Sequence, residues 1–411
     1  MNPAVDNKDT RLYFLDWVRI IAFFVLIAYH VGMYYVTWGW HVKSPFASDT
    51  LESYMMLSAP WRLGLLFLIS GVASSFMLNK TGAGEFMRQR SWRLLVPLVF
   101  GMLVIVPPQP YFEVIEKYGY QGSYLDFMKL YLHNYRGFVT GTDSHLVLPT
   151  WNHLWFVAYL WVYTLALAMI VLALGARFEA LSERLARLLN GWKLMLLPLA
   201  VLAVARLLLA PRFPSTHALF GDWYNHAMYF FLFLLGAMLA RQRDPWQRLD
   251  AMRWTGLGTA LACWALLKIA YSLPDGLVPE STSVWLWPLL RAVHALYQWS
   301  AIVAVCGFAH RHLEFDSARR RYLAQAVFPV YIVHQTLIVS MAHALKPVRL
   351  APGIEGIVLT VLTLTFSFAI FEAVRRCAPL RPLFGLGAAD RHSAIKKAAS
   401  VHQCGLGSPA G

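Results

Sequence analysis

The sequence predicts an all-α, polytopic integral membrane protein of about ten transmembrane helices with both termini cytoplasmic. Three observations carry that expectation. The 411 residues are 58% hydrophobic and only 14% charged, more apolar side chains than a soluble core of that size can bury. Apolar stretches of about 20 residues, the length that crosses a ~30 Å hydrocarbon layer as helix, recur along nearly the whole chain. Lys and Arg, which resist translocation, fall in alternate connecting segments, about 24 of the 36 on one side and about 7 on the other.

The first apolar run starts near Leu12 and has no small-residue cleavage site after a short core, so it reads as a retained helix rather than a signal peptide. Spans follow at about 13–36, 55–78, 92–109, 152–175, 193–210, 226–241, 254–272, 287–309, 323–345 and 353–375. The span at 226–241 is the shortest, and the stretch after Pro107 leaves room for a re-entrant piece. Residues 1–380 form the transmembrane domain and 381–411, with Lys396, Lys397 and a Gly/Ser/Pro end, a basic, disordered cytoplasmic tail. The longest loop, about 108–151, lies outside. Its Tyr111, Glu113, Tyr118, Tyr120, Tyr124, Asp126, Tyr131, Tyr135 and Asp143, with Trp151 and His153 following, suit either a carbohydrate or an interfacial aromatic belt.

A net charge of +14 is no nucleic-acid signal here, because the basic residues sit in short clusters between apolar spans. Cys263, Cys306, Cys377 and Cys404 are widely spaced without a CxxC pair, which argues against a disulfide frame and a zinc site, and no metal is expected.

Ionisable side chains inside spans carry the functional signal, since each costs at least ~2.5–3.5 kcal/mol to insert and needs a partner, a wet cavity or a role. The first span holds Asp16, Arg19 and His30. Arg19 and His30 are eleven residues apart, close to three turns, and share a face about 16 Å apart along the axis. Asp16 lies one turn before Arg19 and is placed to pair with it. His30 reads either as a reactive imidazole or as a neutral histidine bonded to a neighbouring helix. Arg90 and Arg93 share a face entering the third span, where guanidinium groups either clamp phosphate or mark ordinary topology. Arg62 opens the second span as a snorkelling anchor or an outer substrate contact. Ser70-Gly71 suits close helix packing. His153, beside Asn152, begins the fourth span, and Tyr331 stands one turn before His334 in the ninth, placing His334 to bond His30 or to line the same cavity. Glu372, Arg206, Lys268 and Arg291 are further intramembrane charges without an assigned role.

These residues resemble acyltransferase family 3. The first-span arginine and histidine separated by ten residues match as Arg19 and His30, and the Arg-x-x-Arg entering the third span matches as Arg90 and Arg93. Leu68-Ile-Ser-Gly71 and Tyr331-Ile-Val-His334 resemble two further family patterns, so the likeness covers nearly the whole chain. Tyr13-Phe-Leu-Asp16, Trp40-His41-Val42-Lys43-Ser44 and His153-Leu-Trp-Phe156 resemble the branch that decorates periplasmic glucans.

The resemblance implies a bacterial inner-membrane enzyme that moves an acyl group, succinyl or acetyl, from cytoplasmic acyl-CoA to hydroxyls of an extracytoplasmic glycan. It makes His30 catalytic together with Arg19, puts Arg90 and Arg93 at the donor, and leaves Asp16, Arg62, His153, Tyr331 and His334 as cavity partners. Acyl-CoA is then a substrate, with no permanently bound cofactor. The partners are membrane lipid and periplasmic glycan-synthesis proteins, because family members often add an extracytoplasmic domain that this chain lacks. Direct transfer and an acyl-histidine intermediate both remain open. The rival reading is a transporter or flippase for a glycan or a small anionic solute.

Overall fold

The computed structural model describes residues 12–138, 146–273 and 279–387. Asp143, Lys396, Lys397, Cys404 and the tail from 388 lie outside the described residues. Every regular element among them is helical: α1 (Tyr13–Tyr35), α2 (Ala59–Thr81), α3 (Ala83–Phe100), α4 (Pro108–Tyr118), α5 (Tyr124–Leu132), α6 (Trp155–Leu174), α7 (Ala176–Leu188), α8 (Lys193–Leu208), α9 (Trp223–Leu239), α10 (Arg243–Ala251), α11 (Arg253–Tyr271), α12 (Glu280–His312), α13 (Ala318–Leu345) and α14 (Pro352–Arg376), besides short turns.

Among the described residues, seven helical spans are long and apolar enough to cross a membrane. The number is nine if two sharply bent pairs, α7 with α8 at 111° and α9 with α10 at 113°, each count once. The expected ten is therefore not reached. Helix α11 forms where the span at 254–272 is expected, but Thr, Gly and Lys268 dilute it and it is not among the seven. Helix α3 starts well before residue 92 and runs through a π-helical turn at Gly101–Ile105 into α4 as one span, Ala83–Tyr118. Pro108 and Pro110 fall in the first turn of α4, where no backbone N–H is needed, so the chain past Pro107 continues as helix.

The aromatic segment beyond it forms a small core of its own. Val114, Phe127, Tyr131 and Leu148 are buried, with Tyr111, Tyr120 and Phe138 packed around them, and the Tyr131 hydroxyl donates to the Met102 carbonyl at 2.7 Å. Most of these rings bury one another, which neither a carbohydrate platform nor an aromatic belt requires.

Two close contacts fix the bundle around α1 and α2. At the crossing of α2 and α9, a Cβ on Gly71 would lie 1.9 Å from the Phe233 carbonyl oxygen and one on Gly236 would lie 2.0 Å from that of Leu68. Backbone meets backbone there, so nothing larger than glycine fits, in keeping with small-residue helix packing. Gly82, at φ 79°, is the single residue between α2 and α3. It supplies the left-handed φ that reverses the chain, so the end of α2 and the start of α3 lie together, opposite Arg62.

Helix α1 is held at both ends. The Glu314 carboxylate accepts from the Tyr13 and Phe14 amides at 3.1 and 3.3 Å, satisfying first-turn donors and opposing the helix dipole. Arg320 on α13, only 1% exposed, pairs with Asp16 and with Asp316, the latter at 2.7 Å. At the far end Tyr35 donates to Glu355 on α14 at 3.0 Å. Glu372 is paired in the same manner, accepting from Tyr322 and Arg375 at 2.9 and 3.0 Å, whereas Arg206 donates to the neutral Tyr224 hydroxyl. Residues 381–387, assigned by sequence to the tail, turn back onto α3 with Phe384 buried against Phe100.

Candidate active site

A cavity of about 790 Å³ opens between α1, α2, α3 and α13, and Arg19, His30, Arg62, Arg90, Arg93, His153 and Tyr331 all line it. The helix directions set its polarity. Arg19 lies in the first half of α1, and Arg90 and Arg93, about two and three turns into α3, run beside the second half of α2, where Arg90 meets Ser74, so the three cations share one end. His30 near the end of α1 and Arg62 at the start of α2 share the other, about three helical turns or ~16 Å away.

At the His30 end the partners fix the tautomers. The Tyr331 carbonyl can only accept, so the contact from His334 Nδ1 at 2.6 Å places a proton on that nitrogen. Neutral His334 then offers a lone pair at Nε2, to which His30 Nδ1–H donates at 2.8 Å. The two rings stack at 11° with centroids 5.0 Å apart. His30 Nε2 is left with its lone pair and no protein partner among the described residues, on a side chain that faces the cavity. His334 is fully buried behind it and is absent from the cavity wall. His30 is thus bonded to a neighbouring helix through one nitrogen, while its other nitrogen carries no such bond.

His153 differs. Its Nε2 donates to the Ile332 carbonyl at 3.0 Å and its Nδ1 accepts from Gln109 at 3.3 Å, so both nitrogens are engaged. The Tyr331 hydroxyl donates to the His153 carbonyl. These two residues brace the wall and leave no nitrogen or hydroxyl proton over.

At the opposite end Arg90 donates to Ser74 Oγ at 2.6 Å, and the Ser74 hydroxyl donates to the Ser70 carbonyl at 2.7 Å. Arg19 contacts Asp16 and the Ala324 carbonyl, each at 3.4 Å. Asp16 itself is absent from the wall, drawn toward Arg320. No carboxylate among the described residues lies within ion-pair distance of Arg62, Arg90 or Arg93, whereas Arg320, Arg253 and Arg375 all have one. Unpaired guanidinium groups facing one cavity are costly unless an anion joins them, and Arg-x-x-Arg on one helical face can present two donor forks to a phosphate.

Gln109 and Gln335 carry no expectation from the sequence, and His41 and Lys43 enter it only within the Trp40–Ser44 motif. His41 lines the cavity, its Nδ1 donating to Glu113 at 2.6 Å and its Nε2 accepting from Gln335 at 3.2 Å. Gln335 also donates to Gln109 Oε1 at 3.0 Å, as does Asn152. This polar chain ties the loop after α1 to α4 and α13. Lys43 anchors the same loop by donating to the Met33 and Val36 carbonyls at 2.8 and 2.5 Å, and burial pushes its amine down to about 8. The members stand up to 294 residues apart, so no local spacing announces them. A polar Gln in an otherwise apolar span was the one available hint.

With this geometry in hand, comparison with known proteins is direct. The family model described as an acyltransferase domain, that of acyltransferase family 3, matches residues 12–372. The chain is a multi-pass membrane protein and belongs to this family. It is similar to a protein named glucans biosynthesis protein C from Salmonella agona (strain SL483), 24% identical over 388 residues that cover 91% of this chain and 94% of the relative. A protein of the same name from Escherichia coli (strain K12) is 23% identical over 394 residues, covering 93% and 96%. No solved structure matches the chain significantly.

Proposed function

We propose that this protein is an acyl-CoA-dependent O-acyltransferase of the bacterial inner membrane, with both termini cytoplasmic, that transfers a succinyl or acetyl group to hydroxyls of an extracytoplasmic glycan. The observation that carries this reading is that one cavity is lined both by the Arg90/Arg93 cluster and by His30. Membership of an acyltransferase family and likeness to proteins named for glucan biosynthesis support it.

In this reading Arg90 and Arg93, with Arg19 beside them, hold the phosphates of the donor by charge-assisted hydrogen bonds, and the thin pantetheine arm runs up the cavity toward His30. A glycan hydroxyl enters from the other end. His30 Nε2 removes its proton as the hydroxyl oxygen attacks the thioester carbonyl carbon. The new C–O bond forms, the C–S bond breaks, and the imidazolium returns the proton to the departing sulfur to give free CoA thiol. His334 accepts from His30 Nδ1 throughout, which orients the base and helps it carry the transient charge.

Mass spectrometry of periplasmic and surface glycans from cells with and without the gene tests the proposal. Glycans from cells that hold it are expected to be heavier by whole acyl groups. Identical mass distributions would rule the proposed acceptor out.

A further inference from the structure

We propose that Arg62 and Trp40 form the pocket for the oxyanion that develops on the thioester carbonyl during transfer. The inference rests on the acyl-transfer reading above and assigns two residues to it. Arg62 is 2% exposed. It donates through Nη1 to Ser58 Oγ at 2.9 Å and lies over the Tyr29 ring, 4.1 Å from its centroid, yet its Nε is buried with no acceptor and no carboxylate pairs with it. Trp40 has the same deficit: its indole Nε1, which can only donate, is also buried without a partner.

Both line the cavity beside the reacting nitrogen. The Trp40 ring lies 5.4 Å from that of His30. Tyr29 bridges to the other, its ring 5.9 Å from His30 and under the Arg62 guanidinium. Buried donors without acceptors are disfavoured unless a ligand satisfies them. A carbon close enough for attack by a hydroxyl bonded to His30 must place its carbonyl oxygen within this same neighbourhood.

As the hydroxyl oxygen adds, the carbonyl π pair moves onto that oxygen. The resulting anion accepts from the Arg62 guanidinium and the Trp40 indole, and the pair returns to re-form C=O when the C–S bond breaks. Donors held in place before the charge appears need no reorganisation, which is what makes such a pocket effective. Ser58, Tyr29 and the His41–Glu113 contact that holds the Trp40 loop act as positioning groups.

The test uses the full-length protein in detergent with a glycan acceptor, with acetyl-CoA and succinyl-CoA as donors. Trp40→Phe removes the N–H and keeps the aromatic packing, Arg62→Gln removes the charge, and Arg62→Lys keeps it. Trp40→Phe and Arg62→Gln are each expected to lose about 10²–10³-fold in kcat with every donor the wild type uses. Donor Kd is expected to stay unchanged, and Arg62→Lys to recover part of the loss. Should Arg62→Gln fail to fold, Trp40→Phe and Arg62→Lys carry the same comparison. Wild-type kcat in Trp40→Phe, a loss expressed wholly in donor Kd, or a loss for Arg62→Gln confined to succinyl-CoA would overturn the assignment. The last of these would make Arg62 a reader of the acyl carboxylate instead. A wild-type protein silent with both donors overturns the acyl-transfer reading itself, an outcome distinct from any difference between variants.

Discussion

His30→Ala is expected to lower glycan acylation by at least about 10²–10⁴-fold, the usual contribution of a positioned general base, while the protein still inserts and still binds CoA. The size of the effect follows from the hydrogen-bond chain. His334 spends Nδ1 on the Tyr331 carbonyl and is buried, and His153 has both nitrogens engaged. His153 could act only by giving up one of those bonds, and His334 stands behind His30, off the cavity wall. His30→Gln restores a hydrogen-bonding side chain without a basic nitrogen and is expected to stay as inactive as the alanine variant. Rates measured beside CoA affinity separate loss of chemistry from loss of fold, and wild-type turnover in either variant would remove the mechanism.

The parts of this site that lie on one helix were legible in the sequence. Eleven residues on a 3.6-residue period dictate that Arg19 and His30 look the same way, and three residues do the same for Arg90 and Arg93. Both pairs line the cavity. The helical class and most span positions follow from apolar length alone. What escaped was set by tertiary contact. Glu113 sits in an aromatic-rich stretch that reads as an outer loop, and only the fold of α4 carries it to His41, 72 residues away. Asp16 stands one turn from Arg19, yet the buried Arg320 competes for it from 304 residues on. The count of spans does not follow from apolar length alone: α11 forms on an expected span and packs against α12, yet Thr, Gly and Lys268 keep it from being among the seven.

Changing Arg90 and Arg93 together to Gln is expected to weaken donor binding by at least about 100-fold. Hydrogen bonds to charged groups contribute about 1.5–3 kcal/mol each, and a tenfold change in affinity is about 1.4 kcal/mol. Losing two guanidinium contacts to phosphate exceeds that threshold even at the low end. Ser74 would keep a hydrogen-bonding partner at position 90, so the helix start is expected to survive. Raising salt is expected to weaken wild-type binding more than that of the double variant, because the electrostatic attraction resides in these cations. Calorimetry with CoA itself, which lacks the acyl group, isolates the nucleotide end. Unaltered affinity would move the donor site away from α3.

Both variants depend on one claim, that a thioester held at the arginine end meets a hydroxyl at the His30 end inside a single protein. The direct measurement is release of free CoA thiol by the purified wild-type protein, followed with a thiol reagent as glycan acceptor is titrated in. Stoichiometric thiol release that requires acceptor and matches acyl groups gained by the glycan is the predicted result. Movement of glycan or acyl-CoA across a sealed vesicle without any thiol appearing would contradict the account and make this protein a carrier.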